Sequence, residues 1–156
     1  MKEPWDDPRI TAFGMLLEAS AAAITQVERD LEASTGLPVT WFEVMLRLAR
    51  SDGQRLRMAE LAKQVGLSTS GLTRLADRLE EAGYVRREAC PTDRRGAHAV
   101  LTEEGANVLR KAVGPHLDSL EERLARPLGD DLGTLEDLLR RVRDHNGPGD
   151  CPSLQR

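Results

Sequence analysis

Aromatic side chains are nearly missing from this sequence: two Trp, one Tyr and two Phe make up 3% of it, although hydrophobic residues make up 40%. A core must then be built from Leu, Val and Ala, which favours helices, because sheets draw on β-branched and aromatic residues. Cysteine is also scarce, and Cys90 and Cys151 are too few for a disulfide framework. No apolar run near eighteen residues is evident, so no membrane span is expected. The opening Met1-Lys2-Glu3-Pro4-Trp5-Asp6-Asp7 is too acidic and polar for a secretory signal, which makes a cytoplasmic location the expectation. Catalytic constellations are wanting too. There is no glycine-rich phosphate loop and no nucleophile beside a base. The three histidines, His98, His116 and His145, are far apart and none is paired at i, i+4. His116 with Cys90 satisfies no zinc spacing rule. Neither an enzyme nor a metal or cofactor site is expected.

What is present is a contrast of charge. The chain of 156 residues suits one compact domain and carries a net charge of −4. Between Arg47 and Arg95, however, stand 11 basic and 7 acidic residues, a local balance of +4; the remainder has a balance of −8. A positive middle between negative ends suits a DNA-facing patch on an acidic body. The plainer reading is of charges scattered over helix surfaces.

That middle also holds the clearest pattern. Ala59 to Ser68 reads as a short helix, a glycine turn and a fresh helix start, with Ser68 able to cap an unpaired backbone N–H. The following run, Thr69 to Ala82, sets Leu72, Leu75, Ala76 and Leu79 on one face at helical spacing. The opposite face carries Ser70, Thr73, Arg74 and Arg78. A helix with such a face is suited to a DNA major groove, with Ser68, Thr69, Ser70, Thr73 and Arg74 nearest the bases. Arg74 can donate two bonds to a guanine or can bind phosphate. Arg78, a turn on, binds phosphate or pairs with Asp77, Glu81 or a residue of the next hairpin. Val85–Glu88 and His98–Leu101 are the candidate strands of that hairpin, joined by a basic loop, Pro91 to Gly96. Cys90, at its base, is either a redox-sensitive group or simply a small residue.

Around this unit the sequence predicts helices. From about Asp7 to Thr35, Ile10, Phe13, Leu17, Ala21, Ile24, Val27 or Glu28, and Leu31 recur at spacings of three and four, and Gly36 suits a C-terminal stop. So long a helix projects past a small core, and its apolar stripe favours a second copy of the chain. Thr40-Trp41-Phe42-Glu43 has capping-box spacing for a helix to about Arg50. Leu56-Arg57-Met58 could add a third strand. Thr102 caps a helix running to about Arg126, bent near Gly114-Pro115. A last helix, about Asp130 to Asp144, carries Leu132, Leu135, Leu138, Leu139 and Val142, and residues 146–156 read as a disordered tail. The expected fold is mainly α with a small β wing.

The segments Leu61-Ala62, Gly71 to Leu79, Gly83-Tyr84-Val85, Asp93-Arg94-Arg95 and Leu101-Thr102-Glu103-Glu104-Gly105, in that order, resemble the MarR family of winged helix-turn-helix transcriptional regulators. The likeness runs from about Pro8 to Asp144. It implies one domain over 1–145, with a winged helix-turn-helix at about 40–102 and dimerisation helices at about 7–35 and 102–144. It further implies a homodimeric repressor of double-stranded DNA at an inverted repeat. By position, Asp93 would fix the wing, Arg95 would enter the minor groove and Arg94 would contact phosphate. Relatives often have a hydroxyl where Ala59 stands. Small-molecule effectors of the family occupy a cleft between the dimer helices and the DNA-binding lobe, which Met15, Trp41, Met45 and His116 could line; no basic residue stands between Arg9 and Arg29 to hold a carboxylate. The peroxide-sensing cysteine of some relatives, in the first helix, has no counterpart here. The competing reading is a winged-helix protein-interaction module without specific DNA binding, against which the retained Arg74, Arg78, Arg94 and Arg95 speak.

Overall fold

The computed structural model describes residues 3–90 and 93–146, without the side chains of 90 and 93–96. Asp7 caps the first helix, α1 (Pro8–Thr35), its carboxylate accepting from the Arg9 amide, and proline at the first helical position has no N–H to lose. Gly36 ends the helix at φ 69°, a left-handed conformation that glycine adopts without a side-chain penalty. Then follow α2 (Val39–Ala49), β1 (Arg55–Arg57), α3 (Met58–Gln64), α4 (Thr69–Glu81), β2 (Val85–Cys90), β3 (Asp93–Leu101) and α5 (Glu103–Leu120). A π-helical stretch, Glu121–Ala125, a single turn, α6 (Arg126–Leu128), and α7 (Leu132–His145) complete the described chain.

Several boundaries differ from the expected ones. The α2 helix begins at Val39 behind Pro38, with no side-chain cap, so the Thr40–Glu43 capping box does not form. Glu43 instead accepts from Arg47, one turn on, at 3.0 Å. The first strand is Arg55–Arg57, one residue earlier than predicted, because Met58 already belongs to α3. Arg57 stands at the N-cap of α3 without a side-chain cap, which leaves Ala59 inside the helix. The wing strands extend to Cys90 and from Asp93, so the predicted Pro91–Gly96 loop is largely strand backbone. The α5 helix runs through Pro115, and the departure from α geometry falls at 121–125 instead.

The three strands form one antiparallel sheet in the order β1-β3-β2. In its register Leu56 and Arg87 flank Ala99, and Val85 faces Leu101. Ala99, Val85 and Leu101 are buried, which defines the face turned to the core. That core gathers Leu31 from α1, Phe42, Met45 and Leu48 from α2, Leu61 from α3, Leu72, Leu75 and Leu79 from α4 and Leu109 from α5. As composition suggested, leucine dominates it.

The join between wing and α5 is tight. Thr102 donates its backbone N–H to the Tyr84 carbonyl at 3.0 Å and its hydroxyl to the Gly83 carbonyl at 2.6 Å. The same hydroxyl oxygen accepts from the Gly105 amide, capping α5. The segment Leu-Thr-x-x-Gly thus ties the start of β2 to the start of α5.

The expectation of no membrane-length apolar run is corrected by α1, which contains an 18-residue window of mean hydropathy 1.4 with none of it buried. Ala, Gly, Ser and Thr between the larger residues raise the mean without forming an unbroken run of bulky side chains. By length and composition alone this helix could cross a bilayer. Its Ile10, Phe13, Leu17 and Ile24 are exposed, as are Leu132, Leu138, Leu139 and Val142 of α7. Beyond Asn146 the predicted tail lies outside the described residues.

Candidate nucleic-acid interface

The turn between α3 and α4 is set by Gly66 at φ 67° and by a 2.9 Å bond from the Leu67 amide to the Ala62 carbonyl. Ser68 Oγ then accepts from the Gly71 amide at 3.1 Å, satisfying one of the donors the first turn of α4 leaves open. A Cβ on residue 71 would come within 3.2 Å of that hydroxyl, so glycine keeps the cap uncrowded. Leu72, Leu75, Ala76 and Leu79 anchor α4 in the core.

The other face is exposed along Ser68, Thr69, Ser70, Thr73, Arg74 and Arg78. Ser68 and Ser70 lie within hydrogen-bond distance at 3.2 Å, and Thr73 donates back to the Thr69 carbonyl at 2.8 Å, leaving its oxygen free to accept. Among the described residues, neither the Arg74 nor the Arg78 side chain has a hydrogen-bond or ion-pair partner. Two long cations therefore stand ready on a helix of otherwise short polar groups.

Of the partners considered for Arg78, Asp77 is taken by a residue that sequence reasoning missed. Arg87 of β2 donates from Nη2 to Asp77 Oδ1 at 2.6 Å and to Glu80 Oε2 at 2.7 Å, and from Nε to Glu80 Oε2 at 2.9 Å. Its backbone amide donates to Glu80 Oε1 at 2.9 Å. The side-chain and backbone bonds from Arg87 hold the Glu80 carboxyl below the usual carboxylate range, and Glu80 followed by Asp77 raises the Arg87 guanidinium above its own. The signal was present: acids three apart on α4 and an arginine two residues along the strand from buried Val85, on the same face.

On the wing, Cys90 pairs with Asp93 after a register shift at Ala89 and Cys90. Asp93, Arg94 and Arg95 are the first residues of β3, so the strand backbone carries them at the hairpin's far end. Their side chains, and with them the proposed wing support and groove contacts, lie outside what the structure describes.

The four residues named for an effector do not share one pocket. A cleft of about 620 Å³ between the end of α1, the start of α2, Tyr84 and α5 is lined by Trp41, whose ring meets Tyr84 edge-on with centroids 6.0 Å apart. Lys111 is the cation on its wall. His116 lines a smaller cavity of about 340 Å³ with Phe42, Val27, Glu28, Glu43 and Arg123, and its ring lies 4.6 Å from that of Phe42. Its Nδ1 is buried without a partner, and burial lowers its pKa. Met45 is fully enclosed in the core, whereas Met15 is 59% exposed on α1.

This geometry has counterparts. Residues 35–96 match the sequence model of the MarR family. The transcriptional repressor MprA of Escherichia coli K12 is 29% identical over 139 residues, which span 89% of this chain and 77% of MprA. AbsC, a MarR family transcriptional regulator from Streptomyces coelicolor, superposes with a TM-score of 0.77 at 36% identity, over 89% of this chain and 94% of AbsC. Sco3205, a MarR family regulator from the same organism solved in complex with DNA, gives 0.78 at 33% identity, over 90% of this chain and 92% of that one.

Proposed function

The chain belongs to the MarR family of transcriptional regulators, and on that premise we propose that it binds operator DNA as a homodimeric repressor, with α4 in the major groove and the wing tip in the adjoining minor groove. The observation that carries the reading is the exposed face of α4. It is anchored by four buried apolar residues, and its Arg74 and Arg78 have no partner among the described residues. Arg74 is the base-reading candidate, bidentate to guanine, and Ser68, Thr69, Ser70 and Thr73 supply shorter contacts. Arg78 and Arg94 meet phosphates. Arg95 inserts into the minor groove, where a narrow A·T-rich stretch has enhanced negative potential, and Asp93 holds the wing for it.

The second copy follows from α1 and α7, whose exposed apolar residues need cover. A dimer reading two half-sites favours an inverted repeat with centres about 10 bp apart. The cleft beside Trp41 is the proposed effector site, and Lys111 on its wall favours a ligand with an acidic group, whereas α1 carries no cation between Arg9 and Arg29. The chain is read as a single cytoplasmic domain over 1–145 with no catalytic role. Selection from a random-sequence duplex library should return an inverted repeat, bound less tightly as salt rises because phosphate contacts release counterions. Affinity indifferent to sequence, spacing and salt would overturn the reading in favour of a protein-interaction module.

A further inference from the structure

The α4 helix is a paradox as a DNA reader. Over Thr69–Glu81 it carries two arginines but three acids, Asp77, Glu80 and Glu81, and so has a net negative charge. A negative helix should be repelled by a phosphate-lined groove. Asp77 also lies three residues from Arg74, a spacing that makes the two side chains neighbours on one helix surface and a ready ion pair. The structure contains no such pair: the Asp77 carboxylate is bound at 2.6 Å by Arg87, which reaches over from β2 and holds Glu80 as well.

We propose that Arg87 is a positioning residue for DNA recognition, which holds Asp77 away from Arg74 and so leaves the Arg74 guanidinium free to read a base. The proposal rests on the DNA-reading function proposed above and adds to it a residue that need not touch DNA. One guanidinium does two tasks. It neutralises the acids on the strand side of α4, and it ties α4 to the wing strand through Glu80, whose carboxylate accepts from both the side chain and the backbone amide of Arg87. Its geometry suits it to this. An arginine fork offers several donors in one plane and can span two carboxylates, which a lysine ammonium cannot do as a rigid fork. Without Arg87, Asp77 is left within i,i+3 reach of Arg74 on the same helix surface, and the base-reading group would be held by its own neighbour.

A simple structural brace would predict something different. Losing a brace weakens binding to every duplex alike, and nothing done to Asp77 repairs it. Losing the charge sequestration selectively lowers discrimination, and removing the Asp77 charge restores it.

The test measures affinity for a library-selected duplex and for the same duplex with the half-site base pair read by Arg74 changed. Wild type should discriminate between the two; if it does not, the proposed function fails and the role of Arg87 does not arise. Given that discrimination, Arg87→Met should lower the ratio by about tenfold, within the range one base contact supplies. Arg87→Met combined with Asp77→Asn should recover most of the ratio while overall affinity stays reduced, because the Glu80 tie remains broken. Arg74→Ala should erase the ratio whichever residue stands at 87. Should Arg87→Met fail to fold by circular dichroism, Arg87→Lys with and without Asp77→Asn makes the same comparison. An unchanged ratio in the 87 variant, or no recovery on adding Asp77→Asn, overturns the proposal.

Discussion

At Gly105 an added Cβ would sit 2.1 Å from the Tyr84 carbonyl oxygen and 2.9 Å from Leu101 Cδ1. The obstruction is backbone, not the far end of a flexible side chain, so the wing and α5 would have to separate. Gly105→Ala should therefore cost about 1–3 kcal/mol or more, in the range of overpacked cores, read as a lowered thermal midpoint. Arg74→Ala acts on binding and not on folding: it should cost about 1–3 kcal/mol on the best duplex and much less on random DNA, with the melting curve unchanged. His116 gives a pH dependence. Burial depresses its folded pKa below the ordinary value of 6.5, so the folded state binds the proton less readily than the unfolded chain. Its contribution to stability is present above about pH 6.5 and is lost as pH falls through the folded value. The cavity also brings Glu28, Glu43 and Arg123 near the ring. His116→Gln should flatten the decline of the thermal midpoint between about pH 7 and pH 5; an equally steep decline in the variant would show that other groups cause it. At this scale, what could be read in the sequence was whatever a residue does to its own neighbours. Ser68 and Thr102 cap helices as their local spacing predicts. Arg87 escaped notice because its partners lie 7 and 10 residues away on another element, a distance that only the fold brings together.

Helices and strands divide the same way. The glycine that stops α1, the apolar face of α4 and the cap of α5 were all legible, since each depends on a side chain and a backbone group within four positions. The capping box at Thr40–Glu43 was not, because Pro38 fixes the chain entry one residue early and Glu43 finds Arg47 instead. The wing strands were drawn too short: Arg86, Arg87 and Glu88 interrupt any apolar alternation, and pairing with the long β3 decides the extent. The α1 helix shows how composition misleads in either direction. The window long and apolar enough for a bilayer is the same helix that carries the exposed Phe13, Leu17 and Ile24 stripe. If a second copy covers it, the protein should sediment at about twice the 17.2 kDa chain mass, and Phe13→Glu with Leu17→Glu should drive it towards monomer by placing unpaired charges in an apolar interface. Recovery of wild-type chain from the membrane pellet, extractable only by detergent, would assign the stripe to lipid instead.

For the molecule as a whole, the architecture followed from the order of its segments, whereas the relation between its two candidate cavities did not. Trp41 and His116 sit on different helices, α2 and α5, far apart in sequence, and only packing decides that they line different spaces. If the larger cleft takes an acidic ligand, Lys111→Ala should weaken that ligand's binding about tenfold or more, the net worth of a hydrogen bond to a charged group, without lowering DNA affinity in its absence. Titration calorimetry beside a DNA-binding assay would separate the two effects. The bonds of Thr102 to Gly83 and Tyr84 give such a ligand a mechanical route. Because β3 passes into α5 with Thr102 alone between them, a tilt of α5 would be carried into the hairpin about that residue. The nine residues of β3 make an arm of about 30 Å at the usual rise of a strand. A tilt of α5 by about 5° would sweep the tip through about 2.5 Å, approaching half the width of a minor groove. In the dimer proposed above, a small change in the angle between two stems would then be enough to draw both wings out of register with the duplex.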